Sequence, residues 1–145
     1  MGGFTTMFSI RNIEFCFLFL VVVLFSCNGN NDSIDSLSGN YSFISEGPGN
    51  NVIAAQGAGR GNIFIPCNVI DHAYNEDYII ALQQPTKDCF WGRDTSVYRE
   101  GSEAEYFWII AVKTDMVYGP LTEAEYDKMV IELNVSKSLK LNRNK

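Results

Sequence analysis

Residues 105–133 read EYFWIIAVKTDMVYGPLTEAEYDKMVIEL, and the first part of this stretch describes a strand that must be covered on both sides. Alternation along a strand puts Tyr106, Trp108, Ile110 and Val112 on one face and Phe107, Ile109 and Ala111 on the other. Both faces are apolar, as in a strand buried at the centre of a sheet. Lys113-Thr114-Asp115 is polar and compact, and it predicts a hairpin turn into Met116–Tyr118. Thr122 and Glu125 then have the spacing of a capping box, with Leu121 and Tyr126 placed to form the hydrophobic staple around it. Glu123, Glu125 and Asp127 suit the positive start of a helix. Tyr126, Met129, Val130 and Leu133 recur at i, i+3, i+4 and i+7, so one buried stripe runs along a helix of about residues 123–133. Strand, turn and helix together predict an α+β domain in which the helix packs on a sheet.

Upstream of this stretch, short apolar runs alternate with turn residues, the signature of antiparallel strands. Strands are expected at Tyr41–Ser45, Asn51–Gln56, Asn62–Ile65, Val69–Tyr74 and Tyr78–Gln84. Gly47-Pro48-Gly49-Asn50, the glycine cluster Gly57–Gly61 and Asn75-Glu76-Asp77 separate them. Pro66 cannot donate to a ladder and predicts an edge or a bulge. Residues 85–101 have no steady period and are expected to form a long loop. The fold expected is a single antiparallel sheet of about five or six strands with one C-terminal helix, over residues 39–142, with 143–145 as a tail.

The amino-terminal part has a different character. Arg11 precedes the apolar run Phe15–Phe25, which Glu14 and Asn28 bound on either side. The run is too short for the ~20 apolar residues of a spanning helix, and it has the charged, apolar and small-residue order of a cleaved secretory signal. Its end, Leu24-Phe25-Ser26-Cys27, resembles the lipobox of bacterial lipoproteins. That resemblance implies a signal peptide over residues 1–26 and a Cys27 that carries acyl chains as the first mature residue. Several chains together make a stable anchor. Residues 28–38, NGNNDSIDSLS, have too little apolar content to bury, so residues 27–38 read as a lipidated cysteine and flexible tether.

Removing residues 1–27 from 145 leaves 118, enough for one domain with a modest core. Residues 28–136 carry six Lys or Arg against sixteen Asp or Glu, a balance of −10, while Lys137, Lys140, Arg143 and Lys145 make the end basic. An acidic body of this kind excludes a nucleic-acid partner, which needs a basic patch. Cys67 and Cys89 are the cysteines left inside the domain. In an oxidising envelope they are compatible with one disulfide, two free buried thiols being the alternative.

Candidate chemistry is sparse. The only histidine, His72, sits in DHAYNED with three carboxylates, but neither zinc-ligand nor calcium-loop spacing is present. Cys67 and His72, five residues apart, fall on opposite faces of a regular strand and make a poor thiol–imidazole pair. The glycine cluster 57–61 opens a strand-like run rather than a helix, so it lacks the geometry of a phosphate cradle. Phe90, Trp91 and Trp108 supply aromatic surface that could line a groove, core packing being the commoner fate of such residues. No cofactor is expected.

The segments YFWIIAVKTDMVYGPLTEAEYDKMVIEL and NVIDHAYNEDYIIAL resemble an uncharacterised family of small bacterial envelope proteins. Trp108, Ile109, Ile110, Tyr118, Gly119, Pro120 and Leu121 carry the match, and the resemblance implies a scaffold without an assigned activity. The function expected is therefore a membrane-anchored envelope lipoprotein, facing the periplasm or exterior, that binds a protein or peptide without catalysis. A small-ligand carrier using an aromatic groove is the alternative, and an envelope hydrolase using Cys67 or His72 comes last.

Overall fold

Apolar alternation in the domain is satisfied by two sheets rather than one. The computed structural model describes residues 32–55, 63–90 and 96–142, and Asn31–Lys145 forms one compact unit. The first sheet contains β1 (Ser33–Ser36), β2 (Tyr41–Ser45), β3 (Asn51–Ala55) and β4 (Ile63–Ile65) in that spatial order. The second contains β5 (Val69–Tyr74), β6 (Tyr78–Gln83), β7 (Tyr106–Ala111) and β8 (Met116–Leu121), again in chain order. All pairs are antiparallel. One helix, α1 (Glu123–Glu132), follows.

The expectation of a single sheet is thus corrected. Each predicted strand forms, but the chain leaves one sheet at Ile65 and enters the other at Val69. Pro66 stands at this crossing, where a residue without an N–H costs no ladder bond. Period-two alternation reports that one face of a strand is buried. It does not report which strand lies alongside, so it cannot separate one long sheet from two stacked ones.

The stacking builds three layers. Tyr41, Ile53 and Ile65 of the first sheet meet Val69, Ile79, Ala81, Trp108 and Ile110 of the second. The opposite face of the second sheet, with Ile80, Leu82, Phe107 and Ile109, packs under α1 through Tyr126 and is joined by Val135. β7 is therefore covered on both sides, as its sequence requires, and Tyr106–Ile110 are all buried. Burying a large apolar side chain is worth about 1.5–3 kcal/mol, so β7 and its equally covered neighbour β6 carry much of the core.

Local signals fix the ends of α1. Thr122 N–H donates to Glu125 Oε2 at 2.9 Å, and Glu125 N–H donates to Thr122 Oγ1 at 3.4 Å, the reciprocal pair of a capping box. The Thr122 N–H and the Thr122 hydroxyl, both donating to the Glu125 carboxylate, hold it below its ordinary range. Tyr78 Oη donates to Leu133 O at 2.7 Å and ties the helix end back to β6. β8 runs on to Leu121, three residues past the expected end at Tyr118. It is an edge strand, which is where Pro120 is tolerated. At Gly119 φ is +145°, and a Cβ there would meet the Trp108 ring, so both backbone and packing require glycine.

The boundary of the tether also moves. Ser33–Ser36 pair with β2, Ser33 opposite Ser45 and Ser36 opposite Ser42, inside the stretch that composition reads as flexible. All four residues are exposed, so the backbone ladder holds this strand and side-chain hydrophobicity could not announce it.

Candidate binding groove and the placement of the predicted residues

Cys67 and Cys89 form a disulfide that joins the β4–β5 crossing to a short 3-10 turn, Lys87–Phe90, in the loop after β6. Beside it lies Gln83, fully buried at the end of β6. Its Nε2 donates to the carbonyls of Pro66 at 2.6 Å and Cys67 at 2.8 Å, and its Oε1 accepts from Trp108 Nε1 at 2.7 Å. Tyr98 Oη accepts a longer bond from the same amide nitrogen at 3.3 Å. This amide pins the crossing, the loop and the central strand together. Sequence reading missed it because a glutamine at a strand end looks like a solvated residue.

The aromatic groove expected of Phe90, Trp91 and Trp108 is corrected at Trp108. That ring is buried in the core between the sheets and its N–H is committed to Gln83, which leaves it no face for a ligand. Trp91 and the side chain of Phe90 lie outside the described residues, as do the signal residues, Cys27 and the glycine cluster 57–61. The hydrolase alternative loses its thiol, since Cys67 is bridged.

His72 lies half-buried on β5 and stacks on Phe43 of β2, with ring centroids 4.5 Å apart. Burial lowers its pKa below the ordinary 6.5, and Asp71 and Asp35 pull in the opposite direction. Asp71 itself accepts the backbone N–H of Asn142 at 2.6 Å. The histidine is thus a packing element across the sheet interface, and no three metal-ligating side chains gather among the described residues. The unfolded chain binds a proton at His72 more readily than the folded one, so stability falls as pH drops below about 6.5. We expect the urea midpoint to decrease between pH 7.5 and 5.5 in the natural chain, and this component to vanish in His72→Phe, which retains the stack. An identical slope in both proteins would assign the pH dependence elsewhere.

Tyr41 is another buried group with a committed partner. Its Oη donates to Asp115 Oδ1 at 3.0 Å, linking β2 to the β7–β8 turn. Burial, and next the Asp115 carboxylate, push its pKa up to about 12.

One concave surface among the described residues is an open groove of about 820 Å³ where the segment before β7 meets the start of α1. Glu100, Glu105, Glu123 and Asp127 rim it, and Ala104 and Phe107 contribute its apolar part. Four carboxylates meet there from the loop and from the helix, and among the described residues no lysine or arginine lines it. A second concavity of about 520 Å³, beside the β7–β8 turn, is crossed by the exposed Lys113–Asp77 ion pair at 2.6 Å. Solvent screens so exposed a pair, and it adds little to stability.

A sequence model of the family described as "protein of unknown function (DUF3997)" matches residues 38–145. The chain belongs to that family. The DUF3997 match begins just before β2 and takes in β2–β8, α1 and the tail, while β1 precedes it. No curated protein and no solved structure matches the chain.

Proposed function

We propose that this member of DUF3997 is a lipid-anchored envelope protein whose domain is a non-enzymatic module for a basic protein or peptide segment. The groove carries the binding part of this reading: four carboxylates around an apolar floor suit a chain that presents lysine or arginine on an apolar backbone. The acidic balance of residues 28–136 extends the same field and speeds encounter with a cation. The Leu24–Cys27 motif supports the anchor, because it follows a signal-like run and stands immediately before the domain.

The groove is tested with a fluorescent hexalysine peptide at low salt, against the natural chain and a Glu100→Gln, Glu105→Gln, Asp127→Asn variant. Binding is expected to weaken at least about tenfold in the variant and to fall with added salt, as a screened interaction does. Equal affinity for both proteins would remove the groove from the account.

A further inference from the structure

After α1 the chain turns back along the helix-covered face of the second sheet. Tyr78 Oη donates to Leu133 O at 2.7 Å where this return begins. Val135, Leu139 and Leu141 then pack in the same apolar cluster as Leu82, Phe107 and Tyr126. At the far end Asn142 N–H donates to Asp71 Oδ2 at 2.6 Å. Residues 133–142 therefore cross the face from the level of Tyr78 to the level of Asp71.

The registers set that arrival point beside the groove. Asp71 pairs with Leu82 and Leu82 with Phe107, which lines the groove. Asp71 and Phe107 thus stand in one row, two strand spacings or about 10 Å apart. Glu105 comes two residues before Phe107 and falls on the same face, in the direction the returning segment is heading. Among the described residues none from β8 lines the groove, so it opens toward β6 and β5 and not past the sheet edge.

Arg143, Asn144 and Lys145 follow Asn142 and lie outside the described residues. Three extended residues reach about 10 Å, the same distance that separates Asp71 from Phe107. They bring two cations to a groove whose loop side carries the exposed carboxylates Glu100 and Glu105. Arg99, beside Glu100 in the chain, is already engaged by Glu125 at 2.9 Å. Charge, reach and direction all agree.

We propose that residues 143–145 dock in the chain's own groove, with Arg143 and Lys145 among its carboxylates, and act as a built-in competitor for the basic partner. The proposal rests on the groove being a site for basic segments. A tether this short gives a millimolar effective concentration, enough for a weak ion-paired contact to compete. The partner's apparent affinity is then reduced by the fraction of molecules whose groove is closed in this way.

Two measurements test it. The first is zero-length carbodiimide crosslinking of the natural chain at low salt, with the joined peptides identified by mass spectrometry. Lys145 should join to a groove carboxylate within the monomer. A monomer in which Lys145 joins to none of them overturns the docking. A link found only in dimers assigns the groove to a second copy and overturns it as well.

The second is the affinity for fluorescent hexalysine. Arg143→Gln with Lys145→Gln should tighten binding about threefold by releasing the competitor. Lys137→Gln with Lys140→Gln makes the same change in charge at two exposed positions earlier in the segment, and should tighten it far less. Equal tightening by the two pairs would reduce the effect to net charge and overturn the competition. Hexalysine that binds no form of the chain removes the groove reading and the competition together. Binding that is unchanged by Arg143→Gln with Lys145→Gln removes the competition alone.

Discussion

Replacing Cys67 and Cys89 together by serine is expected to lower the stability of the domain by about 3 kcal/mol, the chain-entropy value for a loop of this length. The bridge closes a separation of 22 residues that contains all of β5 and β6. The unfolded chain without it gains the freedom of that loop, and the folded chain loses a covalent hold on the segment after β6. In a domain of this size the loss corresponds to about 10–20 °C in melting temperature. The same fall should appear in the natural chain when a dithiol reductant is added. A serine pair that melts with the oxidised natural chain, or a reductant without effect, would show that the bridge contributes nothing.

Gln83→Leu is expected to cost at least as much, about 3–4 kcal/mol, by a different route. The leucine fits the space but accepts nothing from Trp108 Nε1 and gives nothing to the carbonyls of Pro66 and Cys67. A buried donor or acceptor left without a partner costs about 1–3 kcal/mol. Adding Trp108→Phe in the leucine background removes the orphaned donor, so the second change should destabilise far less than it does in the natural chain. The double-mutant cycle on denaturation midpoints measures this coupling. Additive effects would mean that the amide and the indole do not act as a unit. Because Gln83 holds the carbonyl of Cys67, its loss should also be non-additive with removal of the disulfide.

Much of this fold is written locally. The capping box at Thr122, the stripe on α1 and the two apolar faces of β7 follow from spacing alone, and the structure realises each of them. The division into two sheets is a matter of pairing between distant strands. Pro66 marks the place where the chain changes sheet, but a proline at an edge and a proline at a crossing look alike in sequence. β1 is invisible for a related reason, since SIDS becomes a strand through its backbone bonds to β2 and buries nothing.

The site was less legible than the fold. Aromatic residues drew attention to Trp108, whose sequence gives no hint that Gln83, twenty-five positions earlier, will take up its N–H. The groove carboxylates Glu100, Glu105, Glu123 and Asp127 come from segments with no shared motif, and each alone reads as ordinary solvated charge. Only the packing of the loop before β7 beside the start of α1 brings them to one surface. Charge balance shows that the body is acidic, not where its carboxylates gather.

The proposed role as an anchored protein depends on Cys27 as an attachment point. Cells expressing the full chain are grown with a clickable palmitate analogue, and the natural protein is compared with Cys27→Ala. The account predicts label on the natural protein and its complete loss in the variant. Label that persists in Cys27→Ala, or is missing from both proteins, would contradict it.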